Sequence, residues 1–251
     1  MLRIRGLTVG YGGGEPVLES LELEVRAGKF VSLLGPSGSG KTSVLRAVTA
    51  LLRPQSGQIE LDVGPNEIGF LFQDDALLPW RTARQNVALG LRIHGAARAQ
   101  AEETAERWLG LLGLEGFGER YPRQLSVGQR KRVAIAQVLA LEPKLLLMDE
   151  PFASLDAIVR TRITQELLRW VEEKHLTVLL VTHDLEEAIS ASDTVYVLSQ
   201  GPRAAIRARH EVPISRPRDM VEARRHPAFG PLLRRLWDDL SGEPAPVEHA
   251  L

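Results

Sequence analysis

The spacing of apolar residues along the chain predicts two kinds of strand. Residues 2–9 and 17–25 alternate between apolar and polar positions, which is typical of an antiparallel sheet with one polar face. Residues 30–34 and 145–148 are instead short continuous apolar runs, as in strands that are buried on both faces. The same reasoning predicts further short strands at residues 59–63, 68–72, 178–181 and 194–198.

Apolar residues at helical spacing predict helices between these strands. The longest helical block runs from Thr82 to about residue 114, with Gly95 as its break, and another helix covers residues 127–141. This block lies between strand-rich regions, so we interpret residues 82–141 as an inserted helical subdomain. Further helices are predicted at residues 44–52, 157–174, 185–191 and 229–240.

Strands and helices alternate after the helical block, and the strand at residues 194–198 closes this series. Alternation of this kind favours a parallel sheet that is covered on both faces. We therefore predict an α/β fold with a parallel core sheet, an N-terminal antiparallel β subdomain and the helical insertion. Residues 1–240 are expected to form a single domain, and residues 241–251 a flexible tail.

Composition narrows the class of protein. The 251 residues include 31 basic and 32 acidic side chains, so the net charge of −1 gives no reason to expect binding to nucleic acid. Absence of cysteine excludes disulfides and thiolate metal sites. The apolar runs are only a few residues long, whereas a membrane-spanning helix needs about 20, so we expect no span.

A glycine-rich loop joins the apolar run 30–34 to a predicted helix. It matches G-x-x-x-x-G-K-[ST] in full, with Gly35, Pro36, Ser37, Gly38, Ser39, Gly40, Lys41 and Thr42. In such a loop the backbone N–H groups converge on phosphate oxygens, Lys41 reaches the β- and γ-phosphates, and the Thr42 hydroxyl binds Mg²⁺. A plain Gly/Ser turn does not explain Lys-Thr at this offset, so the motif predicts a nucleoside-triphosphate site.

Two carboxylates, Asp149 and Glu150, follow the apolar run 145–148. A buried strand would deliver Asp149 to the mouth of the sheet, where it can hold Mg²⁺ through its water shell, while Glu150 can polarise an attacking water. A core strand that ends in a solvated acidic turn would give the same pattern. The pair therefore indicates hydrolysis only in combination with the phosphate loop.

Ser126 and Gln129, with Gly128 between them, have the S-x-x-Q spacing of a capping box at a helix start. An ordinary capped helix is compatible with phosphate binding, because a helix N-terminus is also an anion site. Together with the motifs above, the sequence resembles the nucleotide-binding subunits of ABC transporters over residues 1–240. In that family the LSGGQ signature of one protomer closes over the ATP held by its partner, which implies a homodimer.

At Val127 the chain departs from the family, where Gly is usual. If Ser126 caps the helix, Val127 lies in its first turn with an ordinary φ and is sterically allowed.

Tyr11 resembles the aromatic residue that stacks on adenine, although it could simply pack at a strand end. Gln73 resembles the glutamine that reaches metal and water and senses the membrane partner, although it could be a loop amide. The resemblance implies ATP and Mg²⁺ as cofactors. It also implies that Ser43, which follows the phosphate loop, contributes to nucleotide binding.

Two further segments resemble family elements. Ser154, Leu155 and Asp156 resemble the loop that lies across the dimer interface. His183 resembles the switch histidine that contacts the γ-phosphate. A lone histidine is more often structural, but this one follows a predicted parallel strand, where ligands bind in such sheets.

ABC ATPases that act on DNA or on ribosomes are the alternative to a transport ATPase. The DNA-acting class inserts long coiled coils between its half-sites, whereas here Leu125 follows Gln73 by only 52 positions. The ribosome-associated class carries two cassettes in one chain, and this chain has one. A P-loop kinase or GTPase would leave Ser126, Asp156 and His183 unexplained. Transport is therefore favoured.

Residues 73–86, 150–157 and 216–219 resemble the nitrate, sulfonate and taurine import branch of the family. This resemblance implies uptake of a small anion or related solute, delivered by an extracytoplasmic solute-binding protein. A pyrimidine precursor or another small organic molecule is the alternative solute. The resemblance also implies a peripheral location on the cytoplasmic face of the inner membrane.

Shortly after Gln73, the chain contains the apolar cluster Leu77, Leu78, Pro79 and Trp80 on a predicted loop. An exposed cluster of this kind would suit docking to a short helix of a permease subunit. A buried hydrophobic turn is the other interpretation.

Overall fold

The computed structural model of the chain describes residues 1–12, 14–152 and 155–241. These residues form strands β1 (Leu2–Val9), β2 (Leu18–Val25), β3 (Phe30–Leu34), β4 (Ser56–Leu61), β5 (Ile68–Leu71), β6 (Leu145–Asp149), β7 (Thr177–Val181), β8 (Thr194–Leu198) and β9 (Ile206–Glu211). The helices are α1 (Lys41–Val48), α2 (Ala83–Ile93), α3 (Arg98–Leu111), α4 (Val127–Leu139), α5 (Ala157–Glu173), α6 (Leu185–Ala191) and α7 (Phe229–Ser241).

The chain divides into two compact units. Unit 1 contains Met1–Asp62 and the described residues from Leu167 onward, and unit 2 contains Val63–Glu166. In unit 1, β1 pairs antiparallel with β2 on one side and β4 on the other, which confirms the predicted antiparallel sheet. Alternate residues of β1 are buried, as the sequence pattern requires.

Strands β7, β3, β8 and β9 form a second sheet of unit 1 in that order. β3 is parallel to both β7 and β8, and every residue of these three strands is buried, as expected for apolar strands covered on both faces. β9 was not predicted, and it corrects the expectation that residues 194–198 close the series. It pairs antiparallel with β8, and its residues alternate between intermediate and exposed positions, so it lacks a continuous apolar run.

Partly buried polar contacts hold one edge of this sheet in unit 1, where β3 and β8 begin. Asp193, which precedes β8, accepts hydrogen bonds from the backbone N–H of Phe30 at 3.0 Å and from the guanidinium groups of Arg216 and Arg218 at 2.5 and 3.1 Å. Burial lowers the pKa of the Arg218 guanidinium, and the Asp193 carboxylate opposes that effect. The Arg216–Asp219 string of the sequence therefore fixes the start of β3, the strand that leads into the glycine-rich loop.

Unit 2 combines the parallel pair β5–β6 with helices α2, α3 and α4, which pack against one another. The Thr82 hydroxyl accepts from the Gln85 backbone and the Gln85 side chain accepts from the Thr82 backbone, so a capping box starts α2. Gly95 separates α2 from α3 at φ +93, which confirms the predicted break. None of the described helices is both long and apolar enough to cross a membrane.

Candidate functional site

The glycine-rich loop of unit 1 connects the buried strand β3 to helix α1. Gly40 caps α1 at φ +89, and a Cβ atom there would lie 2.8 Å from side-chain atoms of both Val17 and Leu18. A Cβ on Gly35 would lie 2.6 Å from the Ser39 hydroxyl. Only glycine fits these two close approaches, so the loop backbone can wrap tightly around the start of the helix.

Polar groups inside this loop are arranged to receive an anion. The Lys41 ammonium is almost buried and donates to the carbonyl oxygens of Gly35 at 2.7 Å and Pro36 at 2.9 Å. The buried Ser39 hydroxyl has no hydrogen-bond partner among the described residues. The first turn of α1 contains no acidic residue and no side-chain cap, so its N–H groups can bind phosphate oxygens. These features fit the polyphosphate of a nucleotide.

Next to the loop, the Tyr11 hydroxyl and the buried Ser43 hydroxyl form a hydrogen bond of 3.0 Å. This contact brings two predicted binding residues together, and the ring of Tyr11 is about half exposed at the start of α1. Thr42 is partly exposed, and Ser37 and Gly38 are exposed on the crest of the loop.

His183 follows β7, the parallel neighbour of β3 in unit 1. Because the carboxyl ends of parallel strands meet at one edge of a sheet, the glycine-rich loop and His183 emerge at the same edge. The His183 side chain is exposed there. Its neighbour Asp184 caps α6 by accepting from the Glu187 backbone at 3.0 Å.

Unit 2 brings Gln73 and the two carboxylates to a common edge by the same rule. Leu71 pairs with Met148 in the parallel β5–β6 ladder, so the segment with Gln73 and the pair Asp149–Glu150 leave adjacent strand ends. Asp149 is buried, whereas Gln73 is exposed. Glu150 has φ +46, an uncommon conformation for a residue other than glycine, and such residues are enriched at functional sites.

The predicted capping box at the start of α4 is confirmed. The Ser126 hydroxyl accepts from the Gln129 backbone at 3.2 Å, and the Gln129 side chain accepts from the Ser126 backbone at 2.9 Å. Val127 is the first residue of the helix and is 52% exposed, so its side chain fits where the family usually has Gly. Gly128 follows within the first turn and is partly exposed.

Asp156 lies at the start of α5, where its carboxylate accepts from the backbone of Val159 at 3.0 Å. This contact gives Asp156 a capping role that does not depend on any ligand. Ser154, which belongs to the same predicted interface loop, lies outside the described residues.

Trp80 extends from an irregular loop, and its side chain is 70% exposed. Leu77 and Leu78 on the same loop are half-buried, so the cluster is not a buried turn. Asn86 of α2 holds the loop: its side chain accepts from the Leu78 backbone at 2.8 Å and donates to several carbonyl oxygens at 3.0–3.2 Å, namely those of Leu78, Arg81 and Thr82.

Asn86 and Lys131 were not predicted to have a role, yet each contacts the backbone of a loop in unit 2 that carries predicted functional residues. Lys131 is buried on α4 and donates to the carbonyl oxygen of Gln73 at 2.6 Å. A signal was present: Lys131 lies four residues before the buried Ile135, and Asn86 lies three residues after the buried Ala83, so each polar residue shares a helix face with a buried apolar one.

The chain belongs to the ABC transporter family, whose sequence profile matches residues 18–153, more than half of its length. A sulfate/thiosulfate import ATP-binding protein from Synechocystis is 45% identical over 80% of this chain. A nitrate import ATP-binding protein from Synechococcus elongatus is 40% identical over 90% of this chain. A taurine import ATP-binding protein from Escherichia coli O157:H7 is 45% identical over 80% of this chain and 81% of its own length.

The match spans only 59% of the sulfate/thiosulfate protein and 35% of the nitrate protein. Among solved structures, the dimeric ATP-binding cassette MJ0796, in a post-hydrolysis state with ADP and Pi, is similar at a TM-score of 0.78. It is 32% identical and covers 86% of this chain and all of its own. The predicted ABC ATPase fold, α/β with an N-terminal antiparallel sheet, is therefore confirmed.

Replacing Asn86 with Ala should free the Trp80 loop. The Asn86→Ala variant removes the acceptor for the Leu78 amide and the donors for the loop carbonyls, which should cost about 2 kcal/mol of unfolding free energy. Hydrogen exchange of the Leu78 amide should become faster, whereas Asn66→Ala, at an exposed position of unit 2, should leave it unchanged. Equal exchange in the two variants would show that Asn86 does not hold the loop.

Proposed function

We propose that this chain is the ATP-hydrolysing subunit of an ABC importer for a small anion or organic solute of the nitrate, sulfonate, sulfate or taurine type. The observation that carries the proposal is the loop of unit 1, where the Lys41 ammonium and the orphaned Ser39 hydroxyl lie within a glycine-rich turn. The names of the import relatives support the transport role.

On this proposal, the glycine-rich loop holds the triphosphate. Lys41 exchanges its contacts with the loop carbonyls for charge-assisted bonds to the β- and γ-phosphates. Further donors are the backbone N–H groups from Gly38 to Thr42, which include the N-terminus of α1. The turn itself is shaped by Gly35, Pro36, Ser37, Ser39 and Gly40. The Tyr11 ring offers a face for adenine, and its hydrogen bond to Ser43 limits the motion of that ring.

Mg²⁺ would be held by Thr42, Gln73 and Asp149, whose hydroxyl, amide and carboxylate oxygens are the hard ligands that this ion prefers. The described residues contain no group of three His, Cys, Asp or Glu side chains able to hold a metal alone. When bound, Mg²⁺ neutralises charge on the phosphates.

Glu150 would accept a proton from the water that attacks the γ-phosphorus. As the new P–O bond forms, the bond to the bridging β,γ-oxygen breaks, and ADP and inorganic phosphate are released. His183, exposed at the edge of the sheet, would donate a hydrogen bond to a γ-phosphate oxygen. Positioning and charge stabilisation therefore account for most of the proposed catalysis.

The proposed active form is a homodimer, in which Ser126, Gly128 and Gln129 of one copy close over the nucleotide of the other, with Asp156 at the interface. The dimeric state of the similar cassette supports this arrangement. Two exposed apolar side chains on unit 2 lie next to these residues, since Val127 adjoins Ser126 and Ile158 follows Asp156 on α5. Burial against a second copy would remove such side chains from water.

The exposed Trp80 loop and Gln73 are proposed to dock onto integral membrane permease subunits. An apolar groove of about 180 Å³ in unit 2 supports this role, and its lining includes Phe70, Phe72, Asp75, Gly90, Val138 and Leu141. Docking would keep the protein peripheral, on the cytoplasmic face of the inner membrane. An extracytoplasmic solute-binding protein would deliver the solute, and no nucleic acid is involved.

Residues 1–240 are proposed to act as one ATPase domain, with the helical subdomain at about 82–141 inserted. Helices α2, α3 and α4 occupy that span and support the assignment. The tail proposed for residues 241–251 falls, beyond Ser241, on residues outside the described part of the chain.

Glu150→Gln should abolish hydrolysis and preserve ATP binding, because the amide cannot accept the proton while the glycine-rich loop is unchanged. We expect the turnover number to fall at least about 100-fold and an ATP-bound dimer to accumulate, as seen by light scattering. Glu103→Gln, at an exposed position on α3, is the matched control and should hydrolyse ATP normally. Parental turnover in Glu150→Gln would refute the role of general base.

Trp80→Ala should weaken assembly with a co-expressed permease and spare ATP binding, because the exposed indole is the largest apolar group of the docking loop. Co-purification should fall by about tenfold or more, as is typical for a central tryptophan of an interface. Trp237→Ala, which removes an exposed indole from α7 of unit 1, should assemble normally. Undiminished co-purification of Trp80→Ala would exclude docking through this loop.

A further inference from the structure

Lys131 of α4 is a buried cation that contacts the loop after β5. Its ammonium donates to the carbonyl oxygens of Gln73 at 2.6 Å and Phe72 at 3.3 Å, and it lies 3.3 Å from the Asp75 carboxylate. The residue is only 2% exposed. All four residues belong to unit 2, and the contacts join a helix to a loop that is otherwise irregular.

The Lys131 contact stabilises one particular path of the loop after β5. Burying an ammonium group is costly unless acceptors surround it, so these carbonyls and the Asp75 carboxylate stabilise the cation only while the loop keeps its path. Arg130 is a second cation that contacts this loop. Its Nε donates to the other Asp75 oxygen at 3.3 Å, and its guanidinium group also donates to the Leu125 carbonyl at 2.9 Å. A loop displacement would therefore break several bonds together.

The two segments joined in this way have different proposed tasks. α4 begins at Val127, immediately after the Ser126 cap, so Lys131 lies within the second turn of the helix that presents the signature residues. The loop carries Gln73 and continues into the docking segment that ends at Trp80. A displacement of either segment would be transmitted to the other through the Lys131 ammonium.

We propose that Lys131, with Asp75 as its counter-ion, is a positioning residue that couples the Gln73 loop to the signature helix. The assignment rests on the proposed function, since the coupling matters only if Gln73 and Ser126 serve ATP hydrolysis. Lys131 touches no nucleotide in this scheme; it acts through the backbone that sets the position of Gln73.

A single spin label tests the contact directly, because the chain contains no cysteine. The label is a nitroxide attached to the full chain through Asp74→Cys, an exposed position of the loop. Measured in the absence of nucleotide, it reports the local mobility of the loop. Adding Lys131→Met should increase the mobility of the label about twofold, while Lys131→Arg, which keeps a cation, should restore most of the restraint. Arg132→Met is the matched control, since Arg132 donates instead to the Leu112 and Gly113 carbonyls.

Hydrolysis by the unlabelled chain tests whether the contact has a catalytic consequence. Lys131→Met should lower kcat about fivefold and leave KM for ATP within about twofold, because the glycine-rich loop lies in unit 1 and is unchanged. Arg132→Met should keep the parental kcat. If Lys131→Met does not fold, Asp75→Asn weakens the same contact by removing the counter-ion and should shift mobility and kcat in the same directions.

Unchanged label mobility would overturn the proposed contact, and increased mobility with parental kcat would overturn the positioning role. An equal loss in Arg132→Met would also overturn it, because the effect would then reflect general loosening of α4. Failure of the proposed function is distinguishable: the parent chain would hydrolyse no ATP, while the nucleotide-free label would still report whether Lys131 restrains the loop.

Discussion

Hydrogen bonding between short, buried parallel strands is the constraint on which the candidate site depends. In unit 1 it places the loop after β3 and His183 after β7 at one sheet edge, and in unit 2 it places Gln73 and Asp149–Glu150 at adjacent strand ends. The strands contribute no chemistry of their own, because nearly all their side chains are apolar and buried. They fix the points at which polar residues leave the core.

A second principle recurs beyond the strand ends, where buried polar side chains satisfy the carbonyls of irregular loops. Lys41 does so for the glycine-rich loop, Asn86 for the Trp80 loop and Lys131 for the Gln73 loop. Irregular backbone cannot satisfy its own polar groups, so each loop needs such a partner to keep one conformation. The Lys41 contacts differ in kind, because a phosphate could replace those carbonyls, whereas Asn86 and Lys131 serve to hold backbone in place.

Most of the fold could be predicted, because its strands, helices and helix caps follow from local patterns. The runs at β3, β6 and β7 have the continuous apolar character of buried strands, and the Ser126 cap follows from spacing alone. β9 was missed because its residues are only intermediate or exposed and form no continuous apolar run, so its position depends on backbone pairing with β8. Lys131 was missed because it lies in a run of three basic residues, and its burial depends on carbonyls 58 and 59 positions away in sequence.

Binding of Mg-ATP to the full chain, measured by titration calorimetry, tests whether unit 1 holds a nucleoside triphosphate through the Lys41 loop. Lys41→Met should weaken this affinity at least about tenfold, because a charge-assisted contact to phosphate is lost. Lys29→Met, which removes an exposed lysine just before β3, should bind like the parent. Equal affinity of the parent and Lys41→Met, or no binding by the parent, would show that the Lys41 loop does not hold the triphosphate.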